Sequence, residues 1–182
     1  MQETIPGVPA ATARVFGPYG RALLAASRAA AIFGGVIFVL LVIMSIVSIV
    51  GRKLAAAPVP GDVELLQMCS AVAAAMFFAY CHLNGGDVKV DFFTAKLSPR
   101  LVNLLDAFGS LLFGIVGALL TWRTALGALQ VMRSEETSMI LGIPQWIAQM
   151  SMVPGFALFA LAGFYMVTYH WHKRLESAGV SA

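Results

Sequence analysis

The chain reads as an all-α integral membrane protein. It has four transmembrane helices, both termini on the cytoplasmic side, and a short interfacial helix between helices 2 and 3. Three observations predict this. Of 182 residues, 59% are hydrophobic and 12% charged, whereas soluble domains carry about a quarter charged side chains to cover their surface. Uncharged runs recur at membrane length: Ala29 to Val50 and Leu65 to Gly86 are each 22 residues. At a rise of ~1.5 Å per residue, about 20 apolar residues cross a hydrocarbon layer of ~30 Å. The basic residues are also unequally shared. Arg14, Arg21, Arg28, Lys89, Lys96, Arg100, Lys173 and Arg174 fall on one side, against Arg52, Lys53, Arg123 and Arg133 on the other. The richer side is cytoplasmic. The net surplus of positive charge is dispersed, with no cluster or motif that would bind nucleic acid.

In chain order, residues 1–28 form a cytoplasmic lead-in, with Pro6, Pro9 and Gly17-Pro18 opposing order in its first part. Span 1 covers 29–50. A cleavable leader is the competing reading, because Leu54-Ala55-Ala56-Ala57 can pass for a cleavage site. A charged region of 28 residues and an apolar run beyond the usual ~7–15 favour a retained span instead. Arg52 and Lys53 close it, and Pro58 and Pro60 make the following connection non-helical. Span 2, residues 64–83, opens with Asp62 and Glu64, whose charge suits a helix start. Within it Gln67, Ala71, Ala75 and Ala79 recur every fourth residue. They form a small-residue ridge with one amide, along which another helix can approach. Cys69 and Cys81 sit on this same helix, out of disulfide reach, and read as buried small residues.

Asn84-Gly85-Gly86 ends span 2. The segment 88–98 is too short and too charged to cross. Asp91 can cap a turn in which Phe93 and Leu97 dip into the headgroup boundary beside Phe92, while Lys96 and Arg100 meet anionic lipid. With Gly85, Gly86 and Pro99 these residues make an interfacial elbow. Ser98-Pro99 signals the start of a helix. Span 3 covers 101–122, and its helical pattern continues to Met132, so that end should project into water. Ser110, Gly114 and Ala118 repeat the small-residue spacing. Asp106 is the only acid inside a span. It sits where Arg100, His82 or water can pair with it, or where it can meet a partner helix. Arg133 to Ser138, with Glu135 and Glu136, is a polar loop. Gly142-Ile143-Pro144 then starts span 4, residues 144–170, with Trp146 at one interface and Tyr169 and Trp171 at the other. Pro154-Gly155 should kink that helix. Residues 173–182 form a cytoplasmic tail.

The chain has no paired titratable groups of the kind an enzyme requires, no phosphate-binding loop and no metal-ligand spacing, so no catalytic residue, cofactor or metal is expected. Two other classes stay open. His82 and His170 end spans 2 and 4 on the same side, and two such histidines can ligate a b-type haem in the membrane anchor of a redox complex. Alternatively the chain is a free-standing small four-helix membrane protein. The scarcity of charge inside the spans argues against a complete ion-coupled transporter.

The order of motifs adds to this. Glu64 opens helix 2, Gly85-Gly86-Asp87-Val88-Lys89-Val90-Asp91 forms the elbow, and Leu97, Pro99 and Arg100 mark the return. Gly142, Ile143, Pro144 and Trp146 open helix 4, and Pro154-Gly155 follows. Over about residues 25–172 this order resembles the small integral membrane subunit of tripartite ATP-independent periplasmic (TRAP) transporters, the DctQ-like or Q-type family. One departure is Asp87, where the family's elbow often has histidine.

The resemblance implies a multi-pass protein of the bacterial inner membrane, paired with a large M-type subunit that holds the substrate and sodium sites. A P-type periplasmic binding protein would deliver organic acids such as C4-dicarboxylates or sugar acids. The small subunit would brace the large one through Gln67, Ala71, Ala75, Ala79, Ser110, Gly114, Ala118 and Asp106. Its periplasmic face, with Arg52, Lys53, Asp62, Glu64, Arg133, Glu135 and Glu136, would help dock the binding protein.

Overall fold

The computed structural model describes residues 17–55, 59–86 and 99–179. Among these lie four helices and no strand: α1 (Pro18–Ala55), α2 (Asp62–Leu83), α3 (Pro99–Arg133) and α4 (Gln145–Gly179). Each is long and apolar enough to cross a membrane. The expected interfacial segment 88–98, with Asp91, Phe92, Phe93 and Lys96, lies outside the described residues. Pro99 and Arg100 are described as the first helical residues of α3.

Helix α1 begins well before the first apolar run, because the residues from Arg21 to Ala31 are almost all alanine, leucine and arginine, strong helix formers. Pro18 takes the first helical position, and the N–H of Arg21 reaches the carbonyl of Gly17 at 3.0 Å. The buried residues of α1 are Gly20, Ser27, Gly34, Leu41 and Ser48, one in every seven. That spacing is a seam one residue wide. It rests on α2: a Cβ at Gly34 would lie 2.9 Å from the carbonyl oxygen of Ala73. Beside the seam Phe38 stacks on Phe77, with ring centroids 5.8 Å apart. The other sides of α1, with Val36, Val39, Leu40 and Ile43, are exposed.

The helices stand in a row, in the order α1, α2, α4, α3. Helix α2 packs on α1 and α4, α4 packs most extensively on α3, and α1 and α3 form the two ends, with α1 also touching α4 over a smaller area. Of the most apolar stretch of each helix, the buried share is lowest in α1, at 17%, and highest in α4, at 39%. The bare faces suit acyl chains, and cohesion must come from close packing rather than from exclusion of water. The packing shows this. A Cβ at Gly163 of α4 would lie 2.4 Å from the backbone nitrogen of Gly114 and 3.0 Å from the carbonyl of Ser110 on α3. On α3 the buried Ala107, Ser110, Gly114 and Gly117 alternate in steps of three and four. On the other side of α4, Gly155 meets the carbonyl of Ala75 in the same way, at 2.7 Å. Ala79 and Leu83 of α2 then join Phe159, Ala162 and Met166 of α4 in the core.

Two boundaries show how the sequence stops a helix. Gly85 has a φ of 66°, in the left-handed region that glycine enters without a Cβ clash. Its N–H bonds the carbonyl of His82 at 3.1 Å, and that of Gly86 bonds Cys81 at 2.9 Å. These paired bonds satisfy the last carbonyls of α2 as a Schellman motif. Helix α3 runs to Arg133, past the length a bilayer needs, as its pattern predicts. Helix α4 continues through Pro154, whose exposed ring faces away from the packed seams.

Candidate functional site

Polar side chains gather at one end of the row, where α1 ends and α2 and α4 begin. Ser48 is the last residue of the α1 seam, and its hydroxyl donates to Oδ2 of Asp62. Arg52, one turn further on, donates to the same oxygen at 3.1 Å. The other carboxylate oxygen accepts the N–H of Val63 at 2.8 Å, covering one of the free donors at the start of α2. Asp62 thus fastens two helix ends together. Arg52 is 61% exposed, so its ion pair adds little beyond the buried hydroxyl bond.

Two residues later Glu64 grips the loop between α3 and α4. Its two oxygens accept the backbone N–H groups of Ile140 and Leu141, at 3.0 and 3.2 Å. The loop is already closed on itself. Glu135 reverses the chain at a φ of 53°, the N–H of Ser138 bonds the carbonyl of Ile143 at 2.9 Å, and that of Gln145 bonds Glu136 at 3.1 Å. Leu141 sits over Gly61, which is buried at a φ of 74°. The result is a latch in which the tip of a tight loop is bonded to the start of a helix from the other half of the row. Met139, at the tip, is 100% exposed.

Two clefts flank the α2–α4 contact at this end. One, of about 420 Å³, is lined by Glu64, Gln67, Met68, Gln145, Gln149 and Met152, among others. The other, of about 250 Å³, is apolar and includes Phe33, Ile37, Leu65, Val72 and Ile147. Met68 and Ala148 line both and stand between them. The remaining lining residues step around α2 and α4 in opposite senses, so the clefts open on opposite faces of the row. One face is polar here and the other apolar.

The residues expected on the docking face all lie at this end, in two groups. Asp62 and Glu64 are committed to bonds within the chain. Arg52, Lys53, Arg133, Glu135 and Glu136 are exposed, and Glu136 accepts the Ser134 hydroxyl at 3.0 Å. Gly142, with a φ of 63°, and Pro144 complete the loop. Trp146 follows, half-buried, in the first turn of α4.

Of the residues expected to face a large partner, Ala75, Ala79, Ser110 and Gly114 pack within the chain instead. Ala75 and Ala79 are each 1% exposed, covered by α4 of the same chain. Ser110 and Gly114 are likewise used against Gly163 and Phe164. Small residues every fourth position mark a close helix approach, and here the approaching helix is internal. Ala118 faces outward and Gly117 takes its place in the seam. Gln67 is exposed, while Ala71 and Asp106 are half-buried.

At the opposite end His82 and His170 are both buried. The His82 ring meets Phe113 and Phe159 edge-on, at centroid distances of 5.1 and 6.0 Å. Here α2, α3 and α4 converge in aromatic packing. Among the described residues no group of three or more His, Cys, Asp or Glu is placed to hold a metal.

Sequence reasoning missed Ser48, Gly61, Ser138 and Leu141. The seven-residue spacing on α1 points to Ser48, and Pro60-Gly61 is a turn signal. Nothing marks Leu141, which contributes a backbone N–H and a covering side chain.

A family model described as "Tripartite ATP-independent periplasmic transporters, DctQ component" matches residues 40–172. That range takes in the second half of α1, all of α2 and α3, and most of α4. No curated protein and no solved structure gives a match.

Proposed function

The chain belongs to the DctQ family of TRAP transporters, and on that premise we propose that it braces the large membrane subunit of a sodium-coupled uptake system and helps dock its periplasmic binding protein. The family match carries the reading: the chain is a small transporter component and a multi-pass membrane protein. The transported solutes are organic acids, such as C4-dicarboxylates or sugar acids, and the membrane is the bacterial inner membrane. Both termini are cytoplasmic, which the bias of Lys and Arg supports.

In that orientation the Asp62–Glu64 end is periplasmic. Asp62 and Glu64 hold that surface in shape, and Arg52, Lys53, Arg133, Glu135, Glu136 and the Met139 tip meet the binding protein. A row of helices with bare sides suits a brace, because it widens the footprint of whatever it is attached to. The test is uptake of a labelled C4-dicarboxylate or sugar acid into proteoliposomes. With the binding protein and the large subunit present, uptake should require this chain. Uptake by this chain alone, or undiminished uptake without it, would overturn the reading.

A further inference from the structure

We propose that the polar face of the row, centred on Gln67 and Gln149 in the cleft between α2 and α4, is the surface that receives a transmembrane helix of the large subunit. This rests on the transporter reading above and adds the face and the chemistry. Gln67 lies five residues into α2 and Gln149 four residues into α4, roughly 6–8 Å along each axis. Both fall within stretches long and apolar enough to cross a membrane. Among the described residues neither amide makes a side-chain hydrogen bond, and neither does Gln145 at the mouth. An amide turned toward acyl chains forfeits the bonds it had in water, so polar side chains inside spans face protein.

The two sides of the row differ on this point. The opposite cleft is lined by Phe33, Ile37, Val72 and Ile147 and has no unsatisfied amide, so acyl chains fill it at no cost. The polar cleft also has the shape and adaptability a helix needs. It is about 420 Å³, open, and bordered by Met68 and Met152, whose flexible side chains mould to a partner. The occupant is therefore an apolar helix that places small residues over Ala71 and hydrogen-bonding groups, such as serine, threonine or asparagine, against the two amides.

The test uses the co-expressed small and large subunits, with photoreactive benzoylphenylalanine at position 67 or 149, and at position 37 or 147 on the other side. After irradiation, the covalent adduct of the two subunits should form from 67 and 149, at about tenfold the yield from 37 and 147. In parallel, Gln67→Leu with Gln149→Leu should lower recovery of the large subunit by about tenfold, given the usual size of interhelical hydrogen bonds. The melting temperature of the chain alone should stay unchanged. Adducts mainly from 37 or 147 would put the interface on the wrong face and overturn the proposal. Co-purification without adducts from any of the four positions would overturn it too, leaving lipid or water in the cleft. Failure of the unmodified subunits to co-purify would instead overturn the transporter reading itself.

Discussion

Gly61 and Leu141 share one space: the Cβ that Gly61 lacks would lie 2.4 Å from the Cγ of Leu141. The loop between α3 and α4 therefore rests on a bare stretch of backbone at the start of α2, and Gly61 must also hold a φ of 74° there. Gly61→Ala should cost about 1–2 kcal/mol for the left-handed backbone alone, and more for the displaced leucine. In a Leu141→Ala background the leucine part disappears. A double-mutant cycle on thermal unfolding in detergent should give a coupling of about 1 kcal/mol. Equal losses in both backgrounds would show that the shared space has no energetic weight.

Glu64 supplies both acceptors for the loop tip, so Glu64→Ala removes two charge-assisted bonds, each weakened where water competes for it. The amides of Ile140 and Leu141 should then exchange hydrogen at least about tenfold faster. Glu64→Gln keeps one acceptor oxygen, so it should release only one of the two amides. Unchanged exchange in Glu64→Ala would mean that the closed turn holds its shape unaided.

The α3–α4 seam leaves no room for a methyl group at Gly163, whose added Cβ would overlap backbone and not a movable side chain. Gly163→Ala should force the helices apart and destabilise the chain by about 1–3 kcal/mol or more. Ala118→Leu, on the outward side of α3, should change the melting temperature of the isolated chain very little. Similar losses from the two changes would contradict the seam.

Asp62 receives a buried hydroxyl from Ser48 and an exposed guanidinium from Arg52. Ser48→Ala should cost about 1.5–3 kcal/mol, the range for a bond to a charged group. Arg52→Ala should cost less than about 1 kcal/mol and lose its effect as salt rises. The reverse order in unfolding measurements would make the ion pair, and not the hydroxyl, the tie between α1 and α2.

The helices were legible from sequence because their cause is local. Uncharged length gave the spans, Pro99 gave the first helical position of α3, and the pattern beyond Arg123 gave its long extension. The row was not legible. A small residue at every fourth position says that something approaches closely, and it says the same whether the approaching helix is α4 or another protein. From sequence alone Ala75 and Ser110 therefore read as outward-facing, although both are buried within the chain. The latch was hidden for a different reason: Glu64 bonds backbone N–H groups, which every non-proline residue offers, so side-chain identity holds no record of the pairing. Ser48 was readable in principle, since the stripe from Gly20 through Leu41 ends on it.

A single file of helices has ends, as a closed ring does not. Each inner member has two broad borders, α3 has one with α4, and α1 has one with α2 and a smaller contact on α4. A lesion confined to α1 leaves the three remaining helices contiguous. A lesion in α2 or α4 strikes two broad borders at once. Harm to this protein should therefore be graded by position in the file, with substitutions tolerated most readily along its first and last members.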